Sequence, residues 1–264
     1  MKKLLMLVLV VVLGVSVCAG LVACNEKGDL AKVEKAGKIV VGVTDYPPMD
    51  YKNAAGEWVG FDAELAQMFA AYLGVECEIV EITWSQKVAE INAGQIDLIW
   101  NGMTASDELG QEIDFSVSYA QNAQVAVVKS DSTIATKDQI KASSIAVENI
   151  SAGDTVAREV IGAANVTGLT AQVDALNEVK AGTSQVAIVD LTLAGNVVGK
   201  GDYANLKIVE GISYGDEIFS VGLRKGSDLK AKLDEFLKEK YADGTMTRLV
   251  EKYGNVYLNE DALK

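Results

Sequence analysis

KIVVGVTDYPPMDYKNAAGEWVGFDAELAQMFAAYLGVECEIVEITWSQKVAEINAGQIDLIW, residues Lys38–Trp100, decides the fold. "KIVVGVT" (Lys38–Thr44) is an unbroken apolar run rich in valine, the pattern of a strand buried on both faces. Phe61, Leu65, Met68, Phe69 and Tyr72 then recur at helical spacing. Asp62 and Glu64 stand in that helix's first turn, where its dipole favours acids, and Gly74 ends it. "CEIVEIT" (Cys77–Thr83) is the next strand, Ser85–Ala93 a short helix and "IDLIW" (Ile96–Trp100) a third strand. Such βαβαβ alternation implies a parallel sheet with right-handed crossovers.

A second series follows. "QVAVVK" (Gln124–Lys129), "SIAV" (Ser144–Val147), "VAIVDL" (Val186–Leu191) and "LKIV" (Leu206–Val209) are strand candidates, with helices near Asp154–Ile161 and Ala175–Ala181. "EIFSVGL" (Glu217–Leu223) reads as a further strand. It precedes a helix carrying Leu229, Leu233, Phe236, Leu237 and Tyr241, capped by Ser227 and stopped by Gly244. Met246, Leu249, Val250 and Tyr253 form the apolar face of a last helix. Two α/β lobes are implied; one large doubly wound sheet is the alternative. Pro47 and Pro48 are the only prolines, so no proline-rich linker divides the lobes.

With 49% hydrophobic and 23% charged residues, the chain has a globular composition. A net charge of −13 argues against nucleic acid, whose phosphates demand clustered Lys and Arg. The chain has no histidine, which removes Ser-His-Asp and Cys-His catalysis and imidazole metal sites. "GISYG" (Gly211–Gly215) fits the nucleophile-elbow pattern but lacks a histidine base, so it reads as a turn. No metal or cofactor is expected.

The N-terminus has the layout of a secretory signal: Lys2 and Lys3, an apolar run from Leu4 to Leu13, then small residues. A span of about 30 Å lies within reach of Leu4–Ala23, but Gly14, Ser16 and Gly20 weaken a membrane-helix reading. "LVAC" (Leu21–Cys24) resembles a bacterial lipobox, with Cys24 as the lipidated first residue. Residues 1–23 are thus expected to be a lipoprotein signal peptide and residues 24–36 a tether. Cys18 and Cys24 are spent there, and Cys77 remains as a small buried hydrophobe without a disulfide.

In doubly wound sheets, ligands bind outside the carboxyl ends of the strands. Those ends are Asp45–Tyr46, Trp84, Asn101–Thr104, Glu148–Ser151 and Asp190. The ordered set of strand then Y-P-P, G-F-D at a helix start, G-Q-I-D, M-T and D-F-S resembles the amino-acid-type (family 3) solute-binding proteins of bacterial ABC importers. The likeness runs to "YADGTMTRLVEKYG" (Tyr241–Gly254). It implies a two-lobed α/β fold of the type II periplasmic-binding-protein class, each lobe a mostly parallel sheet flanked by helices. It also implies a first lobe from residues 37–122 and 214–264, an inserted second lobe from residues 123–213, and crossings near Ala120–Gln124 and Gly211–Asp216.

Carried over, the strand-end list is that family's ligand site. Asp45 and Tyr46 supply a polar group and an aromatic wall, and Trp84 stacks on the ligand. Asn101, Gly102 and Thr104 meet it through backbone and hydroxyl groups. Ser151 lies in a turn whose N–H groups hold a carboxylate, and Asp190 accepts an α-ammonium. The family usually has an arginine in the loop "MTASDELGQEIDFS" (Met103–Ser116), forked onto the ligand's carboxylate; Leu109 occupies that position. Glu148 stands where relatives often have Lys, Gln or Arg. Acids without a matched base in a closing cleft favour a cationic guest, with Tyr46, Trp84 and Trp100 as cation–π faces.

Plainer assignments stand beside these. Arg158 is a second source of the missing charge, Glu148 on an alternating strand end has a solvent-facing option, and the loop acids fit a solvated face. Trp100 reads as core, and Tyr51 and Trp58 as hairpin packing. The expected role is capture of a small amino acid or cationic amine for a membrane permease by a monomer anchored outside the cytoplasm. A dehydratase-like enzyme on the same fold, with Glu148 as acid, and a sensory module are the alternatives.

Overall fold

Alternation of β-branched residues with amphipathic helices builds two separate sheets, which excludes the single-sheet alternative. In the computed structural model, residues 28–264 are described; the segment read as a signal peptide, residues 1–23, and Cys24 lie outside them. The first sheet has the order β4-β1-β5-β12-β6, from Glu76–Glu81 (β4), Lys38–Val43 (β1), Leu98–Ile99 (β5), Gly222–Arg224 (β12) and Ile113–Phe115 (β6). β1 pairs in parallel with β4 and β5, while β12 runs antiparallel to β5 and β6. Tyr51–Lys52 (β2) and Trp58–Val59 (β3) form a hairpin beside it, as the two aromatics suggested.

The second sheet has the order β11-β7-β10-β8-β9. Its strands are Leu206–Phe219 (β11), Ala120–Lys129 (β7), Val186–Asp190 (β10), Ser144–Glu148 (β8) and Asn165–Leu169 (β9). β10, β8 and β9 are parallel, β7 pairs antiparallel with β10, and β11 pairs antiparallel with β7. Tyr257–Leu258 (β13) adds to the start of β7.

β7 and β11 are the two long strands that run between the lobes. They pair along Ala120–Asn122 with Glu217–Phe219, and again along Gln124–Lys129 with Tyr214–Leu206. The "EIFSVGL" run is therefore not one strand. Glu217–Phe219 ends β11, the chain turns at Ser220–Val221, and β12 enters the first sheet. "GISYG" lies inside β11 rather than in a turn. Its register shifts, and Gly211 (φ 69°) and Gly215 (φ 73°) take the left-handed conformations that such bulges need.

The helices differ from the sequence reading at their ends. The region near Asp154–Ile161 is a single α-turn, Ala152–Thr155, running into π-helical Val156–Val160. The helix Leu229–Ala242 starts after Asp228, not Ser227, and has no side-chain cap. Phe61–Leu73 is the central helix of the first lobe. Its opening N–H groups are satisfied by the "YPPMD" loop: Phe61 donates to the Pro48 carbonyl at 2.9 Å and Asp62 to that of Met49 at 3.0 Å. Phe69 packs 5.3 Å from Phe236 and 6.3 Å from Trp100 between ring centroids, so Trp100 is core. Cys77 is a free, half-buried thiol packed against that core, and burial pushes it up to about 11. None of the described helices is long and apolar enough to cross a membrane.

Candidate functional site

The carboxyl ends of both sheets face one cavity of about 610 Å³. Two of its acids meet where β10, β7 and β11 come together. Asp190 closes β10 and is 4% exposed. Its Oδ1 accepts from Asn122 Nδ2 and Gln124 Nε2, both at 2.5 Å, and its Oδ2 from Gln172 Nε2. Burial raises its carboxyl above the usual range, and the amide donors oppose the rise. The buried Tyr46 hydroxyl lies close enough to feel this charge, yet short of a well-formed hydrogen bond.

Glu217 on β11 is the second acid. Its Oε2 accepts from Thr104 Oγ1 (3.0 Å), Asn122 Nδ2 (2.9 Å) and Gln124 Nε2 (3.0 Å). Two amides are thus shared between Asp190 and Glu217. Burial, with the neighbouring Asp190 charge added, pushes Glu217 up to about 7. A third acid, Glu148 at the end of β8, is 3% exposed, and its Oε1 has no hydrogen-bond partner. Burial first, and Asp190 next, raise it well above the ordinary carboxyl range. The solvent-facing option for Glu148 is thereby closed.

One base shares this interior. Lys87 is 2% exposed and follows the 3₁₀ turn Trp84–Gln86. Its Nζ donates to the Ile150 carbonyl across the cleft at 3.0 Å and to that of Trp84 at 3.4 Å, and lies 4.5 Å from the Trp84 ring centroid. Burial pulls it down to about 8, against the pull of Glu148. The expectation of acids with no base is corrected to this extent: one buried lysine stands among buried Glu148 and Asp190 and partly buried Glu217.

Tyr46, Trp84, Asn101, Gly102, Thr104, Leu109, Glu148, Ser151 and Asp190 all line the cavity. Asp45 does not: its side chain is exposed, outside the lining, under the influence of Glu81, Lys52 and Asp174. Successive residues of an extended chain point to opposite sides, so Asp45 and Tyr46 cannot both face inward. Several lining groups are already engaged. Gly102 N–H donates to Asp62 Oδ2 at 2.7 Å, and the Asn101 amide donates to Asp50 (2.8 Å) and to the Thr44 carbonyl (3.1 Å). These two residues shape the floor, with the Asn101 side-chain amide and the Gly102 N–H engaged within the protein. Ser151 Oγ accepts from Asp154 N–H at 3.1 Å. Arg158 is half-exposed and tied to Asp154 at 2.5 Å. Glu108, Glu112 and Glu159 are exposed residues that border the opening.

Lys87, Glu217, Asn122, Gln124 and Gln172 escaped the sequence reading. Asn122 and Gln124 carried a usable signal, since polar residues at i and i+2 on an otherwise apolar strand must face something polar. Lys87 stands one helical turn beyond Trp84, on the same face.

The model of the family described as bacterial extracellular solute-binding proteins, family 3, matches residues 39–256. The L-cystine-binding protein TcyJ of Escherichia coli (strain K12) is 29% identical over 248 residues, covering 92% of each chain. Among solved structures, an amino acid ABC transporter substrate-binding protein from Streptococcus pneumoniae bound to L-arginine superposes with a TM-score of 0.81. It is 26% identical, over 88% of this chain and 100% of that one. The ancestral amino acid-binding protein AncCDT-1, a precursor of cyclohexadienyl dehydratase, has a TM-score of 0.78 at 27% identity, over 86% and 99%. Two sheets joined by paired crossing strands, a cavity between their carboxyl ends and a match along most of its length place this chain in family 3 of the bacterial extracellular solute-binding proteins.

Proposed function

We propose that this chain captures a small solute of net positive charge, a cationic amino acid or a cationic amine, and hands it unchanged to the permease of an ABC importer. The observation that carries this reading is the excess of acid: buried Glu148 and Asp190 and partly buried Glu217 line one cavity against Lys87, the other lining base, Arg158, being already paired with Asp154. An uncompensated buried charge costs several kcal/mol, and a cationic guest offsets that where an anionic guest adds to it. A relative that binds L-arginine with 26% identity supports the reading. Cys24 is the proposed lipid attachment site, outside the cytoplasm. Residues 37–122 and 214–264 form the proposed first lobe, and residues 123–213 the second, closing on the guest as a monomer.

The test is thermal stabilisation of ligand-stripped protein by L-arginine, L-lysine and putrescine beside L-glutamate and L-aspartate. Stabilisation by the cations is expected; stabilisation by the acidic pair alone refutes the charge assignment. A pH dependence follows. Glu217 titrates at about 7 in the empty cavity, and a bound cation favours its ionised form, so binding expels a proton. Affinity should then fall by up to about tenfold per unit as pH drops below about 7. Calorimetry in two buffers of different ionisation heat reads the released proton directly; zero release at neutral pH contradicts the prediction.

A further inference from the structure

The cavity contains one cation that no acid holds. Both hydrogen bonds from the Lys87 ammonium, among the described residues, go to main-chain carbonyls, and the Trp84 contact at 3.4 Å is long. An ammonium has three donors, so one remains for a guest. It is nearly inaccessible to water, and Leu109, also on the cavity wall, offers no charge of its own. Glu148 acts on Lys87 through charge alone, with no hydrogen bond between them, whereas Asp190 and Glu217 lie on the strands that join the lobes, where the shared amides of Asn122 and Gln124 hold them. The site therefore offers a free ammonium donor as well as an amide-held pair of acids.

We infer that Lys87 grips a carboxylate of the guest, which makes the guest a cationic α-amino acid rather than a simple amine. This rests on the proposed cationic reading but is tested independently of it. Lys87 already spans the cleft to the Ile150 carbonyl, so a role confined to latching the lobes is the competing account. Such a latch serves every guest equally; a carboxylate grip serves only guests that carry one.

The experiment measures dissociation constants for three pairs: L-arginine with agmatine, L-lysine with cadaverine, and L-glutamine with 4-aminobutanamide. In each pair the second member lacks the α-carboxylate. The native protein should prefer the acid of a binding pair by about ten- to a hundredfold, as for a hydrogen bond to a charged group. Lys87→Gln should erase the preference by weakening the acid of each pair far more than its decarboxylated member, and Lys87→Arg should restore it. The inference is overturned if Lys87→Gln weakens both members alike. It is also overturned if the native protein binds an amine as tightly as its parent acid, a result that needs no variant to fold. Binding of the glutamine pair alone would reject the cationic reading, yet would still test Lys87 through that pair.

Discussion

Asp190→Asn is expected to weaken binding of a cationic amino acid by about a hundredfold or more and to abolish its thermal stabilisation. Truncating one partner of a buried, hydrogen-bonded charge pair costs about 2–5 kcal/mol, because the guest's cation is left desolvated without a counter-charge. Asp190 is well suited to that role. It is buried at a strand end and fixed by Asn122, Gln124 and Gln172, so little reorganises when a guest arrives. Stability without a guest should change far less. The substitution removes a buried charge, which is favourable, and turns an amide N–H₂ toward one of three amide donors, which is not. Calorimetry and melting curves on the same preparation separate the two effects. A dissociation constant within about threefold of the native value would show that the acid of this site lies elsewhere.

Gly60→Ala is expected to destabilise the fold by at least about 3 kcal/mol. Gly60 has φ 135° and ψ 174°, a region essentially closed to residues with a side chain. An added Cβ would stand 2.1 Å from the Met49 carbonyl oxygen and 2.9 Å from that of Pro48. Those are the carbonyls that receive the first N–H groups of the Phe61–Leu73 helix. The clash cannot be relieved by a rotamer, so helix and loop must separate. Asp62 would move with them and release Gly102 N–H and the Tyr119 hydroxyl, which it holds at 2.7 Å each. Gly56→Ala is the control: its φ is 81°, but nothing lies within 4 Å of an added Cβ, so the loss should be about 1 kcal/mol. Urea denaturation compares the two; equal midpoints would refute the account of the helix start.

The order of strands and helices was legible because apolar period and glycine stops are local properties. Lys38–Val43, Phe61–Leu73 and Val186–Asp190 lie where those signals put them. β9 was not legible: "NVTGL" (Asn165–Leu169) is an edge strand with no buried residue, too polar to announce itself. The split of "EIFSVGL" depends on which sheet each half joins, a long-range choice absent from local pattern. Strand ends located the cavity wall, including Tyr46, Trp84, Glu148 and Asp190. They failed for Asp45, where one step along the chain reverses the side. They also failed for Lys87 and Glu217, which reach the cavity from a helical turn and from the last residues of a crossing strand. Charge balance in such a site depends on groups distant in sequence, and a reading confined to strand ends counted the acids but not the lysine.

The rim glutamates at positions 108, 112 and 159 act before any contact is made. With a net charge of −13 behind them, they set up a field that reaches about 8 Å into a solution of physiological ionic strength. Under the proposed function, such a field is expected to steer positive solutes toward the mouth and to slow the approach of anions. Part of the discrimination is then expected to be kinetic, exercised at the moment of encounter, so association rates should fall in brine while the grip of the interior endures.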